Sequence, residues 1–264
     1  MSEFKPLRFV VLTDLHLRER RGVEKFHHAV EQINALPGID FVLMLGDFVW
    51  DGPADELSAL LRRFARPVHF IYGNNDRPRL AEYAASLGPM HHYFEHGNCL
   101  FVGLWNCVMQ AGMGDHQGGM DAAQIAWTEH VLKRASERQR PYEHLFLFAH
   151  SPLRRNWREP AKYWMTPELS ERWLDWCERF RVSACFFGHV HADEVFAVGG
   201  TKMITTASLN WNFDVKDDSI QPFWQRKQCE WGRYRIVSVS ADGIRHESRR
   251  LDWSAILARV GAGT

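Results

Sequence analysis

Seven side chains of metal-binding type recur at one kind of place in this sequence: Asp14 and His16, then Asp47, Asn74, His150, His189 and His191. Each follows closely on a short apolar run, in order Phe9–Leu12, Phe41–Leu45, Val68–Tyr72, Leu145–Ala149 and Ala184–Phe187. Carboxylate, amide oxygen and imidazole suit Mn²⁺, Fe or Zn²⁺, and the lack of thiolate among them argues against a closed structural zinc site. Residues two apart on an extended segment point the same way, so Asp14 with His16, and His189 with His191, can each serve one site. Gly46, Gly73 and Gly188 directly precede a ligand, where a tight turn or a close backbone approach is useful. A lone histidine is ordinarily a hydrogen-bonded core imidazole and a lone aspartate a helix cap. Seven such residues at the ends of five successive runs outweigh that reading.

For these ligands to meet, the runs must be strands. They are rich in β-branched and aromatic residues and alternate with stretches of helical period, the pattern of an α/β fold. None alternates with polar residues, so each is expected to be covered on both faces, as central strands of a sheet between layers are. In an open α/β sheet, ligands bind outside the carboxyl ends of the strands, which brings the seven residues to one crevice. Val23, Phe26, Val30, Ile33 and Leu36 mark one helix, and Leu57, Leu60, Leu61 and Phe64 another. Thr166 followed by Pro167 predicts a cap and first turn, opening a helix that buries Leu169, Trp173, Trp176, Cys177 and Phe180. Asp121 caps a further helix through Leu132. The turns Gly97-Asn98, Gly199-Gly200 and Asp242-Gly243 predict three hairpins, expected to build a second, partly antiparallel sheet.

The chain has 264 residues, 45% of them hydrophobic, enough for a large core. No repeat, low-complexity tract or linker divides it, so a single domain over residues 1–264 is expected, its C-terminal hairpin at about 233–252 belonging to the second sheet. Lys plus Arg and Asp plus Glu both number 32, so no global basic field exists to hold a long nucleic acid. No segment approaches the roughly 20 apolar residues of a membrane span. Five cysteines without a C-x-x-C predict free, mostly buried thiols, and a cytoplasmic location is expected.

The segments "TDLH", "LGDFVWDG", "YGNND", "FAHSP" and "FGHVH", in that order between Phe9 and His191, together resemble the five blocks of the calcineurin-like metallophosphoesterases. That resemblance implies a four-layer αββα sandwich, two mixed β-sheets flanked by helices, with two divalent or mixed-valence transition-metal ions at the strand C-terminal ends. By the family pattern, Asp14, His16, Asp47 and His191 would hold one ion. Asp47, Asn74, His150 and His189 would hold the other, with Asp47 bridging. Two ions about 3.5 to 4 Å apart can activate a bridging water and stabilise the attacking and leaving oxygens at phosphorus. The implied reaction is direct hydrolysis of a phosphate ester without a protein nucleophile.

One position departs from the pattern. In much of the family a histidine follows the ligand asparagine, and resemblance assigns it to protonating the leaving oxygen or contacting phosphate; here it is Asn75. A positioned general acid contributes roughly 100- to 10,000-fold, and an amide cannot be one. Phosphodiesters with acidic leaving groups suffer least from that loss, so Asn75 is expected to favour diesters while keeping a hydrogen bond to phosphate. Alternatively Asn75 is neutral, and His116 in "GMGDHQGG", or a metal-bound water, supplies the proton. Asp76 is expected to orient Asn74 or Asn75 rather than bind metal. The candidate catalytic residues are thus Asp47, Asn75, Asp76 and His116.

After His150, Arg154, Arg155, Arg158 and Lys162 could meet a second anionic group while Trp157 and Trp164 stack on a ring; a solvated basic loop is the plainer alternative. Asn210, Trp211 and Asn212 form a second candidate wall, with packing as the alternative. The pairs His27-His28 and His91-His92 lack ligand spacing and are expected at the surface. The leading reading is a binuclear-metal phosphodiesterase for a small or nucleotide-like substrate. A phosphomonoesterase acting on nucleotides or proteins is the runner-up, and a non-catalytic scaffold a third, disfavoured by the complete ligand set. The resemblance also allows a homodimer.

Overall fold

The computed structural model describes residues 4–109, 116–153, 163–213 and 228–252. The five apolar runs are strands, but they divide between two sheets. β1 (Leu7–Leu12), β2 (Phe41–Leu45) and β3 (Val68–Ile71) run parallel to one another, while β12 (Arg233–Ser240) pairs antiparallel with β1 and β13 (Gly243–Arg250) with β12. This sheet has the order β13-β12-β1-β2-β3. The other has the order β4-β5-β6-β7-β9-β8 and contains β4 (His92–His96), β5 (Cys99–Leu104), β6 (His144–Ala149), β7 (Ala184–Phe187), β8 (Glu194–Val198) and β9 (Thr201–Thr205). Its inner four strands, β5, β6, β7 and β9, are parallel. A two-stranded ribbon joins β10 (Asn212–Phe213) to β11 (Gln228–Cys229).

The hairpins therefore do not build a sheet of their own. Two of them extend the sheet of β6 and β7, and the C-terminal hairpin extends the sheet of β1. Apolar runs look alike whichever sheet they join, because in both sheets each face is covered.

The alternation of side chains produces four layers. Val10 and Leu12 of β1 turn outward and pack with Val42, Met44 and the apolar stripes of α1 (Gly22–Asn34) and α2 (Ala54–Leu61), with Tyr83 of α3 (Leu80–Ser86) beside them. Phe9 and Val11 turn inward to a core shared with Phe101, Phe146, Phe148 and Phe186 of the other sheet. Phe9 stacks on Phe41 at 4.8 Å and meets Phe101 edge-on at 5.5 Å, offset and T-shaped arrangements that suit the ring quadrupoles. The outer face of the second sheet is covered by α4 (Ala122–Ser136) and α5 (Pro167–Arg179) through Leu132, Leu169, Trp173 and Trp176. Both caps expected of these helices form: Asp121 accepts from the Gln124 N–H at 2.7 Å, and Thr166 from that of Leu169 at 3.2 Å. Four cysteines are buried and Cys229 is half-buried, all as free thiols. His28 departs from expectation: it lies on the inner face of α1, 8% exposed, with Gln32 at 3.0 Å.

Candidate metal centre

The three parallel strands β1, β2, β3 and the four parallel strands β5, β6, β7, β9 end on the same rim of the sandwich. The seven ligand candidates meet there. Asp14, His16 and His191 form one cluster and Asp47, His150 and His189 a second, with the ligand atoms of each cluster within 4.8 Å of one another. Asp47 faces both: its Oδ2 lies 3.4 Å from His150 Nε2 and 3.7 Å from His16 Nε2. Asn74 joins the second cluster through Oδ1, 3.1 Å from His150 Nε2. In the first, His191 Nε2 lies 3.3 Å from Asp14 Oδ1.

Unusual backbone geometry aims these groups. Asp14, His16, Asp47, His189 and His191 all have positive φ, between 41° and 73°, a region non-glycine residues occupy at a cost of order 1–3 kcal/mol each. Such strain persists where the surroundings over-determine it. A Cβ on Gly73 would run into the Asp47 carboxylate, and one on Gly188 into Thr13 Oγ1 and Asp14. Only glycine lets these loops approach so closely.

Hydrogen bonds then fix which ring nitrogen faces inward. His150 Nδ1 is 2.6 Å from the Leu45 carbonyl and His191 Nδ1 is 2.8 Å from that of Trp211, so each donates there and presents Nε2 as a lone pair. Glu19 Oε2 stands 3.3 Å from His16 Nδ1, an ion-pair distance. Asp14 Oδ1, His16 Nε2 and His189 Nε2 are buried without a hydrogen-bond partner. Two buried carboxylates, two imidazoles orientated from behind and buried ligand-type atoms without partners fit a pair of transition-metal ions.

Electrostatics point the same way. Burial pushes the Asp14 and Asp47 carboxyls up, but the neighbouring imidazoles, His191 for Asp14 and His150 for Asp47, overcome it and hold both below the usual range. Burial opposes charge on His150 as well, yet Asp47 lifts it to about 9; burial and the charge of His150 push His189 down to about 3. The pocket calls for positive charge beside its carboxylates.

Residues 7–193 match the family described as calcineurin-like phosphoesterase. The chain belongs to that family. The two clusters are candidate ligand sets that, with the family, suggest a binuclear metal site. Among solved structures, the chain is similar to GAP50, described as the anchor in the inner membrane complex of Plasmodium, at 12% identity and a TM-score of 0.67, covering 94% of this chain and 85% of that one. It is also similar to a dimetal phosphatase from Danio rerio, at 17% identity and a TM-score of 0.60, covering 93% and 98%. At such identities the likeness is one of fold. A search of curated proteins gives no match.

The remaining candidates of this phosphoesterase fall as follows. Asn75 is exposed, yet its amide turns onto Asp47: its backbone N–H donates to Oδ1 at 2.9 Å and its Nδ2 to Oδ2 at 2.7 Å. Asp76 contacts neither neighbouring asparagine side chain; it accepts from the N–H groups of Gly73 and Val49 at 2.8 and 3.1 Å, strapping the loop after β3 to the loop after β2. Burial and the charge of Asp47 lift its carboxyl to about 7. His116 Nδ1 lies 3.1 Å from Asn74 Nδ2, beside the second cluster. Trp211 is a wall of the first cluster, its ring 4.0 Å from that of His191 and 6.1 Å from His16. Asn210 and Asn212 are fully buried and hydrogen-bonded, so they are frame rather than wall. Trp164 is core, packed with Val190, Ala192 and Phe213. Arg154, Arg155, Trp157, Arg158 and Lys162 lie outside the described residues.

Sequence reasoning missed the frame. Asn106, at the end of β5, accepts from the N–H groups of His150 and Ser151 at 3.2 and 3.0 Å and donates to the Ser151 carbonyl at 2.7 Å. Ser208, after β9, donates to the Asp14 carbonyl at 2.8 Å. Both follow the carboxyl ends of parallel strands, the same signal that found the ligands. Among the described residues no helix is long and apolar enough to cross a membrane.

Proposed function

We propose that the chain is a binuclear-metal phosphodiesterase that hydrolyses a small or nucleotide-like phosphodiester. Asp14, His16, Asp47 and His191 would hold one ion, and Asp47, Asn74, His150 and His189 the other. Mn²⁺, Fe or Zn²⁺ bound there would supply Lewis-acid stabilisation of the phosphoryl oxygens and an activated water.

The observation that carries the diester reading is Asn75. Its amide occupies the corner where the family pattern puts an imidazole, and its backbone N–H and one of its side-chain N–H groups donate to Asp47. A side chain that cannot release a proton leaves the departing oxygen without a donor at this corner. Diesters tolerate that when the leaving group is acidic, and they bring one negative charge fewer than a monoester dianion. Asn75 instead holds the plane of the shared carboxylate, and Trp211 lines one side of the first cluster. His116, beside Asn74, belongs to the competing reading in which Asn75 is neutral and another group supplies the proton.

The test is turnover of bis-p-nitrophenyl phosphate against p-nitrophenyl phosphate by the Mn²⁺-loaded protein, with Asp47→Ala as control. Both substrates release the same phenolate, so the comparison isolates diester from monoester. The reading expects a diester preference that Asp47→Ala abolishes. Equal or greater monoester turnover would overturn the diester assignment. Absence of turnover on both with Mn²⁺, Fe and Zn²⁺ would replace the enzyme with a binding role.

A further inference from the structure

We infer that Lys25 and Asn210 are positioning residues for the half of the metal centre made by Asp14, His16 and His191, through a frame other than the one that holds His150. This inference rests on the binuclear reading above.

Lys25 lies on the inner face of α1 with no exposed surface, although a buried ammonium is costly unless its donors are satisfied. Its Nζ donates to both oxygens of Asn210, the backbone carbonyl at 2.7 Å and Oδ1 at 2.6 Å, with Glu230 Oε2 at 3.9 Å. On its other side the Asn210 amide forks between the carbonyls of His16 and Glu19, each at 2.8 Å. An ammonium can only donate and a carbonyl can only accept, so the chemistry leaves a single orientation for this amide. Lys25 thereby latches the backbone of His16 through one intermediary.

The same loop supports the other two ligands of that half. Ser208 Oγ accepts from the Asn210 N–H at 2.9 Å while donating to the Asp14 carbonyl. The Trp211 carbonyl receives His191 Nδ1. All three ligands have left-handed backbone, with φ of 50°, 41° and 49°, which requires outside support to persist. Residues 208–211 are thus one frame with three ligands hung on it, and Lys25 is its peg. His150 of the other half is held by different groups, Asn106 and the Leu45 carbonyl, while the His189 N–H donates to Asp14 Oδ2 at 2.9 Å and the His16 N–H to the Asp47 carbonyl at 3.1 Å, joining the halves at the ligands themselves.

Two substitutions break the latch differently. Lys25→Met removes the ammonium and keeps the stem. Asn210→Asp keeps the oxygens facing Lys25 and removes the donors to His16 and Glu19. Mn²⁺ binding to the stripped full-length chain is read by calorimetry, by metal content, and by the electron paramagnetic resonance of a coupled ion pair, with circular dichroism reporting folding. Wild type should bind two ions; fewer would fail the binuclear reading itself. In a His150→Ala background, which leaves the Asp14–His16–His191 half, either substitution should weaken the remaining ion roughly 10- to 100-fold. In a His16→Ala background, which leaves the other half, the change should stay within about threefold, whereas Asn106→Asp should there weaken binding roughly 10-fold or more. Equal weakening in both backgrounds would reduce Lys25 and Asn210 to general structural residues and overturn the inference. No weakening in either would overturn it as well.

Discussion

Asn75 holds both oxygens of Asp47, one through its backbone N–H at 2.9 Å and one through its side-chain amide at 2.7 Å. The carboxylate so held is the one that faces His150 and His16 together. A residue at the corner of the reaction site thus serves the carboxylate shared by the two clusters and offers no proton.

Asn75→His should restore a proton donor at that corner. Turnover of an alkyl phosphate relative to an aryl phosphate is expected to rise by on the order of 100-fold, because only the poor alkoxide leaving group needs protonation. Steady-state rates on the two esters measure it. An unchanged ratio would mean that the donor sits elsewhere, with His116→Gln as the next variant to assay.

Asp76 acts through the loops it straps. Asp76→Ala leaves the Gly73 and Val49 N–H groups buried without acceptors, which should lower stability by about 2–4 kcal/mol. Urea unfolding of the purified variant gives the value, and a loss under 1 kcal/mol would show that these groups find other partners.

The edges of the two sheets meet at histidines. His69 of β3 stacks on Phe94 of β4 with centroids 3.5 Å apart, and His92 lies 6.4 Å from His69. Burial first, then neighbouring histidines, pushes both imidazoles down to about 4 from an ordinary 6.5. Between those values the unfolded chain binds protons that the folded chain refuses. Stability should therefore be intact above pH 6.5 and decline as the pH falls toward about 4. His69→Phe and His92→Phe should each flatten the decline in urea midpoints across this window; an unchanged slope would assign acid sensitivity to other groups.

Arg235 ties the C-terminal hairpin to the loop that carries His189 and His191. Only 2% exposed, it donates to Asp193 Oδ1 at 2.6 Å and to Thr206 at 3.2 Å. Arg235→Met removes the nearer of the two arginines that face Asp193 but leaves it Arg233, Ser248 and the Ala207 N–H, and should destabilise the chain by about 1–3 kcal/mol. Thermal or urea unfolding reads it.

The ligands were legible because five apolar runs each end in a group with lone pairs, and strand ends are where an α/β fold gathers such groups. Which sheet each strand joins was not legible. Phe9 and Val11 face the other sheet while Val10 and Leu12 face helices, so all four are apolar and the run carries no mark of its partner. The frame residues were hidden for another reason. Lys25 and Asn210 are 185 residues apart, and nothing in a helix lysine announces that its ammonium will be buried against a loop after β9. Asn75 was legible in type and misjudged in direction: an amide beside a buried carboxylate bonds to it.

The central claim is that Asp47 lies between two metal ions. Anomalous diffraction from a Mn²⁺-soaked crystal tests it most directly. Two peaks about 3.5 to 4 Å apart are expected, one against His16 and His191, one against His150 and His189, with the Asp47 carboxylate touching both. A single peak, or a pair that leaves Asp47 uncoordinated, would contradict it.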